Sequence, residues 1–417
     1  MFKIKDVMSH QVYDSRGYPT IATELTLDSG DIGYAFVPSG ASTGQFEVAE
    51  LRDDIPEVHH GKGVHKAINN IQTQLKDLII GQSFANQAEF DRLIKSSDSC
   101  LKMSQIGANA ILSLSKSLAK AMANAQREDL FLSLSRSEST THYQLPIPIL
   151  NVINGGVHAD NPLYIQEFMI VPHGFEKFSD AMRAGSEIYH HLKQILRDKN
   201  LSTNVGDEGG FAPNLLSNES ALDLLIETIQ RSGYAPEKEV SIALDVAASE
   251  FYQDEAYLLE KHYSTDAWVA YLEGLTKNYP IISIEDPFAD TDENSWANLY
   301  RRVHHDCMLV GDDLIVTQLP RLKKALHHQL ANAILIKPNQ VGTISDTLET
   351  IEYAKAHQCT VFISHRSGDT EDTFISDLAV ATSAKYIKSG APCRSERLAK
   401  YNRLLWLEKK HGLLLNE

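Results

Sequence analysis

The feature that most constrains the fold is a series of short apolar runs that each end in a charged side chain. The runs lack polar alternation, as expected of parallel strands that are buried on both faces. Their ends lie roughly 25 to 40 residues apart, enough for a strand, a loop and a helix. This pattern predicts a β/α barrel with charged groups at one mouth. The runs end at Asp245, Glu285, Asp312, Lys337, the pair His365 and Arg366, and Lys388.

The first part of the chain has a different pattern. The stretches KIKDVMSHQVYDS, TIATELTLD and IGYAFVP, with turn residues between them, predict an antiparallel sheet. The segment NAILSLSKSLAKAMANAQ predicts a helix with Ile111, Leu114, Leu118 and Met122 on its buried face. A serine-rich stretch at 133–144 then breaks the periodicity. We therefore expect an N-terminal domain over residues 1–135 and a catalytic barrel domain over 136–417.

Composition limits the partners and the cellular compartment. The 417 residues include 55 acidic and 39 basic side chains, a formal net charge of -16, which argues against nucleic acids and anionic membrane surfaces as partners. Four dispersed cysteines are typical of a reducing cytosol. The opening MFKIKDVMSH lacks the apolar centre of a signal peptide, and no transmembrane run is visible. We expect a cytoplasmic protein without membrane insertion.

Three of the charged strand ends carry carboxylates. Asp245, Glu285 and Asp312 would converge at the mouth of the barrel, where their mutual repulsion requires a counter-charge. An all-oxygen ligand set with few carboxylates favours Mg²⁺ over calcium or zinc. Pairing of these carboxylates with the neighbouring lysines and arginine remains an alternative from spacing alone.

Lys337 ends the run NAILIK and would face these groups. A lysine beside a metal ion and other cations should have a lowered pKa and can then act as a general base. Metal ions together with a lysine base suit removal of a proton next to a carboxylate, because the metal stabilises the ene-diolate that forms. A surface lysine with its ammonium group in water is the alternative for this residue taken alone.

Two glutamates earlier in the chain are candidates for an acid. Glu167 lies beside the apolar run EFMIVP, and Glu208 lies in the glycine-rich segment NVGDEGGFAP. Close carboxylates can hold a proton between them, so one could protonate a leaving hydroxyl. Spacing leaves open whether they meet, and a solvated turn residue is the alternative for Glu208.

The loop SGASTG supports a rival class. Gly40, Ser42 and Gly44 formally match the G-x-S-x-G nucleophile elbow of serine hydrolases. Pro38 interrupts the approach to this loop and no oxyanion-hole segment of the HGGG type is present. A serine hydrolase that uses Ser42 is therefore the more distant alternative.

Taken together, the motifs resemble the enolase family over nearly the whole chain. The stretches that carry the resemblance are YDSRGYPT, VPSGASTGQFE, GKGVHKAI, IGANAILSLS, NVINGGVHA, QEFMIVP, AMRAGSEIYHHLK, NVGDEGGFAPN, LDVAASEFY, SIEDPF, VGDDL, LIKPNQVGT, SHRSGDTEDTFISDLAV and IKSGAPCRSERLAKYN. The resemblance implies the α/β class: a modified (β/α)8 TIM-like barrel, with early strands not all parallel, and an α+β N-terminal capping domain. It also implies a glycolytic lyase, a homodimer or higher homo-oligomer, that interconverts 2-phosphoglycerate and phosphoenolpyruvate with two Mg²⁺ per active site.

The resemblance also implies residue roles. Lys337 matches the base that takes the proton from C2, and Glu208, with Glu167 as its partner, matches the acid for loss of the C3 hydroxyl. Asp245, Glu285 and Asp312 match the ligands of the first Mg²⁺, and Ser42 a ligand of the second. Substrate contacts are implied for Arg366 and Ser367 with the phosphate, for Lys388 with the carboxylate, and for His158 and His365 as active-site histidines.

Departures from the family pattern lie near the site. Pro338 follows the base, Val157 precedes His158, the loop ADNPLYIQEF is bulky, and Tyr18 replaces the usual asparagine. Rigid or bulky loop residues can slow closure of a site. A diverged enzyme of the superfamily, acting on a related phospho- or phosphono-hydroxy acid, is therefore an alternative. Another alternative is a protein that is retained for binding partners and not for catalysis. Loss of Lys337 or of a metal carboxylate would favour that interpretation, and none of these residues is lost.

Overall fold

The computed structural model describes residues 1–40, 44, 46–135, 142–259 and 261–416, and it begins with an antiparallel sheet. The sheet has the order β3-β2-β1-β4, and its first three strands are antiparallel, as the alternating pattern of the first forty residues predicted. Its strands are β1 (Phe2–Tyr13), β2 (Pro19–Leu27), β3 (Ile32–Phe36) and β4 (Ser83–Phe84). The helices of this part are α1 (His65–Asn70), α2 (Lys76–Ile79), α3 (Gln87–Lys95), α4 (Ala108–Gln126) and α5 (Leu130–Ser135).

Helix α4 is buried on nearly every side because it packs on β2 and β3 and also contacts α11 (Ile344–Ala356) of the second part. Its predicted apolar stripe from Ile111 to Met122 is buried, which confirms the predicted face. The sheet approaches the helix so closely that a Cβ atom on Gly33 would lie 1.9 Å from the carbonyl oxygen of Ser117. Only glycine therefore fits at this position of β3.

A closed barrel of eight strands forms the second part, in the order β11-β12-β13-β14-β15-β5-β6-β7. Its strands are β5 (Ile147–Asn154), β6 (Glu167–Pro172), β7 (Val240–Asp245), β11 (Ile281–Glu285), β12 (Met308–Gly311), β13 (Ala333–Ile336), β14 (Thr360–Ser364) and β15 (Tyr386–Lys388). Strand β6 runs antiparallel to both of its neighbours, and the other pairs are parallel. The expectation of an α/β barrel whose early strands are not all parallel is confirmed.

Helices surround the barrel. They are α6 (Phe178–Asp198), α7 (Asn218–Arg231), α8 (Thr265–Asn278), α9 (Glu293–Val303), α10 (Leu319–His327), α11, α12 (Phe374–Ala381) and α13 (Ser395–His411). Of these, α8 to α12 connect the parallel strands of the barrel. A small antiparallel sheet consists of β8 (Tyr252–Gln253), β9 (Ala256–Leu258) and β10 (His262–Ser264). Within the described ranges, no helix combines the length and the apolar character needed to cross a membrane.

Every predicted charged strand end lies at one mouth of the barrel. Asp245, Glu285 and Lys388 are the last residues of their strands, and Asp312 and Lys337 come directly after theirs. The predicted domain boundary falls in the serine-rich stretch 133–144, of which residues 136–141 lie outside the described residues. The division at 135/136 therefore stays a prediction.

Candidate active site at the barrel mouth

Strand register brings three carboxylates side by side. Glu167 begins the antiparallel strand β6, so its side chain enters the mouth from the start of a strand and not from the end. It pairs across the sheet with Asp245, which in turn pairs with Glu285 on the other side. All three side chains are buried. Because burial and the neighbouring Asp245 both disfavour a negative charge, the pKa of Glu285 lies well above its usual range.

Lys388 contacts all three carboxylates. Its ammonium nitrogen Nζ lies 3.0 Å from Glu167 Oε2, 3.0 Å from Asp245 Oδ2 and 2.8 Å from Glu285 Oε2. Burial alone would lower the pKa of this lysine, but the surrounding carboxylates hold it well above the usual value. Lys388 is therefore a fixed cation at neutral pH.

Lys337 forms an ion pair with Asp312, whose other oxygen Oδ1 accepts a hydrogen bond from Gln340 Nε2 at 2.9 Å. Burial would lower the pKa of Lys337, yet the adjacent Asp312 carboxylate outweighs it and raises the pKa above the usual value. The lowered pKa expected at Lys337 was predicted for a site that holds a metal ion; without an ion the shift has the opposite direction. Asp312 sits at the end of the neighbouring strand, and its charge stabilises the ammonium form.

At two of the strand ends the predicted acidic residue is followed directly by another one: Asp286 follows Glu285, and Asp313 follows Asp312. Asp286 accepts hydrogen bonds from the backbone N–H groups of Asp312 (3.0 Å) and Asp313 (2.8 Å), which fixes the turn after β12. Burial and the nearby Asp312 raise the pKa of Asp313 to about 7. Carboxylate oxygens of Asp286, Asp312 and Asp313 lie close enough together to share an ion.

Arg366 binds Glu47, which belongs to the segment that follows the SGASTG loop. The guanidinium nitrogen Nη1 donates to Glu47 Oε2 at 2.9 Å and Nη2 donates to Oε1 at 3.2 Å. Nη1 also donates to Asn339 Oδ1 at 3.1 Å. Both members of the ion pair are buried, so the N-terminal part of the chain supplies a counter-ion to the barrel mouth.

Glu167 and Glu208 do meet, together with two histidines. Ligand atoms of Glu167, Glu208 and His158 lie within 4.8 Å of one another, and His365 Nε2 lies 3.3 Å from Glu208 Oε2. Burial and the charge of Glu208 raise the pKa of Glu167 well above its usual range. Burial would also raise the pKa of Glu208, but the neighbouring His365 holds it well below. A proton held by this pair therefore resides on Glu167.

His365 is neutral at physiological pH. Its burial lowers the pKa to about 4, despite the nearby Glu208 carboxylate. His158 is less enclosed, and its Nδ1 lies 3.5 Å from Glu167 Oε1. The two histidines thus contact different members of the glutamate pair.

The donor set fits a divalent cation. The walls of the cavity contain more carboxyl groups than permanent cations, and repulsion among them favours binding of a positive ion. The cations are Lys337, Arg366 and Lys388; the carboxyl groups are Glu47, Glu167, Glu208, Asp245, Glu250, Asp286, Asp312 and Asp313. The predicted trio Asp245, Glu285 and Asp312 lies on the consecutive strands β7, β11 and β12, with Asp245 and Glu285 drawn towards Lys388 and Asp312 towards Lys337.

Two predicted residues remain. Ser367 lines the same cavity as the charged groups. Ser42 lies outside the described residues, so neither its predicted metal contact nor its role in a nucleophile elbow can be compared with the geometry.

Several side chains of the site were not predicted from the sequence. Glu47, Gln340 and Arg397 join the site from loops and a helix remote in sequence from the strand ends that they contact. Asp286 and Asp313, however, directly follow predicted ligands in the doublets Glu285-Asp286 and Asp312-Asp313. The acidic residue that directly follows each predicted ligand was the sequence feature from which these two site residues could have been predicted.

Comparison with known protein families agrees with this architecture. A family model described as the C-terminal TIM barrel domain of enolase matches residues 142–414. A second model, the N-terminal domain of enolase, matches residues 4–134. The two matches cover both the antiparallel sheet with its helices and the barrel whose mouth carries the charged groups. The chain therefore belongs to the enolase family.

Proposed function

We propose that this protein is a Mg²⁺-dependent enolase, a lyase that reversibly dehydrates 2-phospho-D-glycerate to phosphoenolpyruvate in glycolysis. One observation carries the proposal. Lys337 follows β13 and Glu167 begins β6, and these strands lie diametrically opposite each other in the closed barrel. A base and an acid on opposite sides of one cavity suit removal of a proton and of a hydroxyl group from adjacent carbons.

In this proposal Lys337 removes the proton. Lys337 would become neutral once bound metal ions offset the charge of Asp312, and its Nζ would then take the proton from C2 of 2-phosphoglycerate while the electron pair of the C2–H bond moves towards the substrate carboxylate. Asp245, Glu285 and Asp312 would hold Mg²⁺, with Ser42 as ligand of a second ion. When bound, the metal ions would offset the charge of the carboxylates and stabilise the ene-diolate form of the substrate.

The glutamate pair completes the reaction. Glu167 holds the proton and passes it to Glu208, which donates it to the C3 hydroxyl; the hydroxyl leaves as water while the C2–C3 double bond forms. His158 and His365 orient the two carboxyl groups. Arg366 and Ser367 would bind the phosphate, and Lys388, a permanent cation, would bind the substrate carboxylate. We also infer a cytoplasmic homodimer or higher homo-oligomer, as is usual in the family.

The test follows both halves of the reaction in the full-length protein. Absorbance of the conjugated product is measured with 2-phosphoglycerate, with and without Mg²⁺, and exchange of the C2 hydrogen with D₂O is measured in parallel. We expect Lys337→Ala to abolish both signals and Glu208→Gln to abolish product formation while exchange persists. Lys323→Ala, a surface change on α10 beside Tyr353, serves as the matched control and should retain both signals.

Folded protein that binds Mg²⁺ but gives neither product nor exchange would refute the glycolytic assignment. Turnover of a related phospho- or phosphono-hydroxy acid in its place would indicate a diverged member of the family. Product formation that survives Lys337→Ala would refute the role of that lysine as the base.

A further inference from the structure

Among the described residues, Arg397 is the largest charged side chain that is completely enclosed by protein. It lies in the first turn of α13, its exposed fraction is 0%, and it does not line the cavity at the barrel mouth. Burial of a guanidinium group is costly unless its donors are satisfied. Its contacts therefore indicate what the surrounding structure requires.

The donors of Arg397 join three separate loops. Nη1 donates to the carbonyl oxygen of Arg366 at 2.6 Å, and Nη2 donates to the carbonyl oxygens of Ser367 at 2.6 Å and Asp207 at 3.2 Å. Nη2 also donates to Ser15 Oγ at 3.3 Å. The carbonyls belong to the residues that follow His365 and to the residue that precedes Glu208. One planar group thus sets the spacing between the two loops that carry this pair.

Arg397 also contacts the imidazole of His365 directly. Nη1 lies 2.6 Å from His365 Nδ1. A guanidinium group has only donors, so Nδ1 must act as the acceptor in this contact. A neutral His365 therefore carries its hydrogen on Nε2, the atom that lies 3.3 Å from Glu208 Oε2.

We propose that Arg397 is a positioning residue for the acid half of the reaction, because it fixes the Nε2–H tautomer of His365 and aims that N–H group at Glu208. The inference rests on the proposed function, since Glu208 is there the group that protonates the leaving hydroxyl. With the tautomer fixed, His365 can only donate to Glu208. This donor holds the carboxyl group in one orientation and favours its return to the charged form after each turnover.

Loss of Arg397 should affect the two halves of the reaction differently. Lys337 follows β13, and the hydrogen bonds that Arg397 makes to Ser15, Asp207, His365, Arg366 and Ser367 do not include it. Loss of the guanidinium should therefore leave C2 proton removal largely intact while it slows loss of the C3 hydroxyl. A lysine at position 397 keeps the positive charge but lacks the planar fork that reaches two loops and the imidazole together.

The first experiment measures both half-reactions in Arg397→Lys. We expect kcat for formation of the conjugated product to fall by about 30-fold or more, while the rate of C2 hydrogen exchange at saturating substrate stays within about threefold of the wild-type rate. Arg403→Lys is the matched control, because Arg403 lies on the same helix but binds Asp377 and Asp129 away from the barrel mouth. It should retain both rates. Equal losses of exchange and product formation in Arg397→Lys would overturn the proposal.

The second experiment needs no variant of Arg397. Nitrogen NMR of the full-length wild-type protein labelled with ¹⁵N-histidine reports which ring nitrogen of His365 carries the hydrogen, and His365→Gln assigns the signal. We expect hydrogen on Nε2 and an unprotonated Nδ1 across pH 6 to 8. Hydrogen on Nδ1 would overturn the proposal whether or not the protein turns over 2-phosphoglycerate, so failure of the proposed function is distinguished from failure of this inference.

Discussion

The buried ion pair between Glu47 and Arg366 leads to a quantitative prediction. In Glu47→Gln the guanidinium of Arg366 keeps its charge but loses the carboxylate that binds it through two hydrogen bonds. Two unit charges about 4 Å apart interact by about 4 kcal/mol at an effective dielectric constant of about 20. Removal of one partner of a buried pair typically costs about 3–5 kcal/mol. Because the amide oxygen of the new glutamine can still accept one hydrogen bond from Arg366, we expect the free energy of unfolding to fall by about 3 kcal/mol, the lower end of this range.

The same change should have the opposite effect on anion binding. Without Glu47 the guanidinium of Arg366 loses its hydrogen-bonded counter-ion, so inorganic phosphate should raise the melting temperature of Glu47→Gln more than that of the wild type. Tenfold tighter binding would correspond to about 1.4 kcal/mol. The opposing signs distinguish this mechanism from general damage to the fold, which would weaken both properties.

The measurement is chemical denaturation at pH 7 without divalent ions, followed by thermal melts over a series of phosphate concentrations. Glu227→Gln is the matched control, because Glu227 pairs with Lys199 and Arg231 at the surface and its side chain is 38% exposed. Its expected loss is below about 1 kcal/mol. The reasoning fails if Glu47→Gln lies within 1 kcal/mol of the wild type, or if phosphate stabilises both proteins equally.

Three further changes test other parts of the molecule. Burial raises the pKa of Asp91 to about 6. The protonated carboxyl group therefore contributes fully to stability below the unfolded pKa of 3.8, and this contribution is lost as the pH rises through 6. The free energy of unfolding should change by about 3 kcal/mol over this range, and Asp91→Asn should remove that change. Gly33→Ala should cost more than about 3 kcal/mol because its Cβ meets Ser117, whereas Gly274→Ala, with open space in α8, should stabilise by about 0.5 kcal/mol. Mg²⁺ at 100 times its dissociation constant should raise stability by about 2.7 kcal/mol over protein in EDTA, and Glu285→Gln should weaken that gain.

Each of these changes has its own measurement. Guanidinium unfolding between pH 4 and 7 tests Asp91, and a constant difference between wild type and Asp91→Asn would contradict the raised pKa. Unfolding at pH 7 ranks the two glycine variants, and equal stabilities would disprove the close approach at Gly33. Calorimetric melts test the metal prediction, in which an unchanged Mg²⁺ effect in Glu285→Gln would remove that residue from the ligand set.

The sequence predicted the features that depend on short segments. Apolar runs that end in charged residues predicted the strands and placed Asp245, Glu285 and Lys388 at one mouth, because the ends of parallel strands meet at the same edge. Sequence spacing did not show that Glu167 and Glu208 meet, since this depends on the reversed direction of β6. Without a metal ion the pKa of Lys337 is raised and not lowered, because the shift depends on Asp312 of the adjacent strand.

Contacts between distant segments account for the rest. Glu47 reaches Arg366 from the N-terminal sheet region, and Arg397 reaches His365 from the last helix. Both residues are part of motifs that identify the family, but a charged residue in a motif does not by itself reveal which buried partner it binds. Pairings of this kind require the tertiary structure.

Closure of the barrel has a consequence for how the protein is made. Strand β5 completes its hydrogen bonds with β15, through Ile147 and Tyr386, so the first strand of the barrel has no neighbour on that side until β15, more than 200 residues later, has been synthesised. The β5–β6 hairpin can form early because its contacts are local, whereas the parallel pairs require long loops to close first. A ribosome-bound chain that has not yet released β15 therefore exposes an apolar strand edge, which makes a nascent chain of this protein a substrate for chaperones.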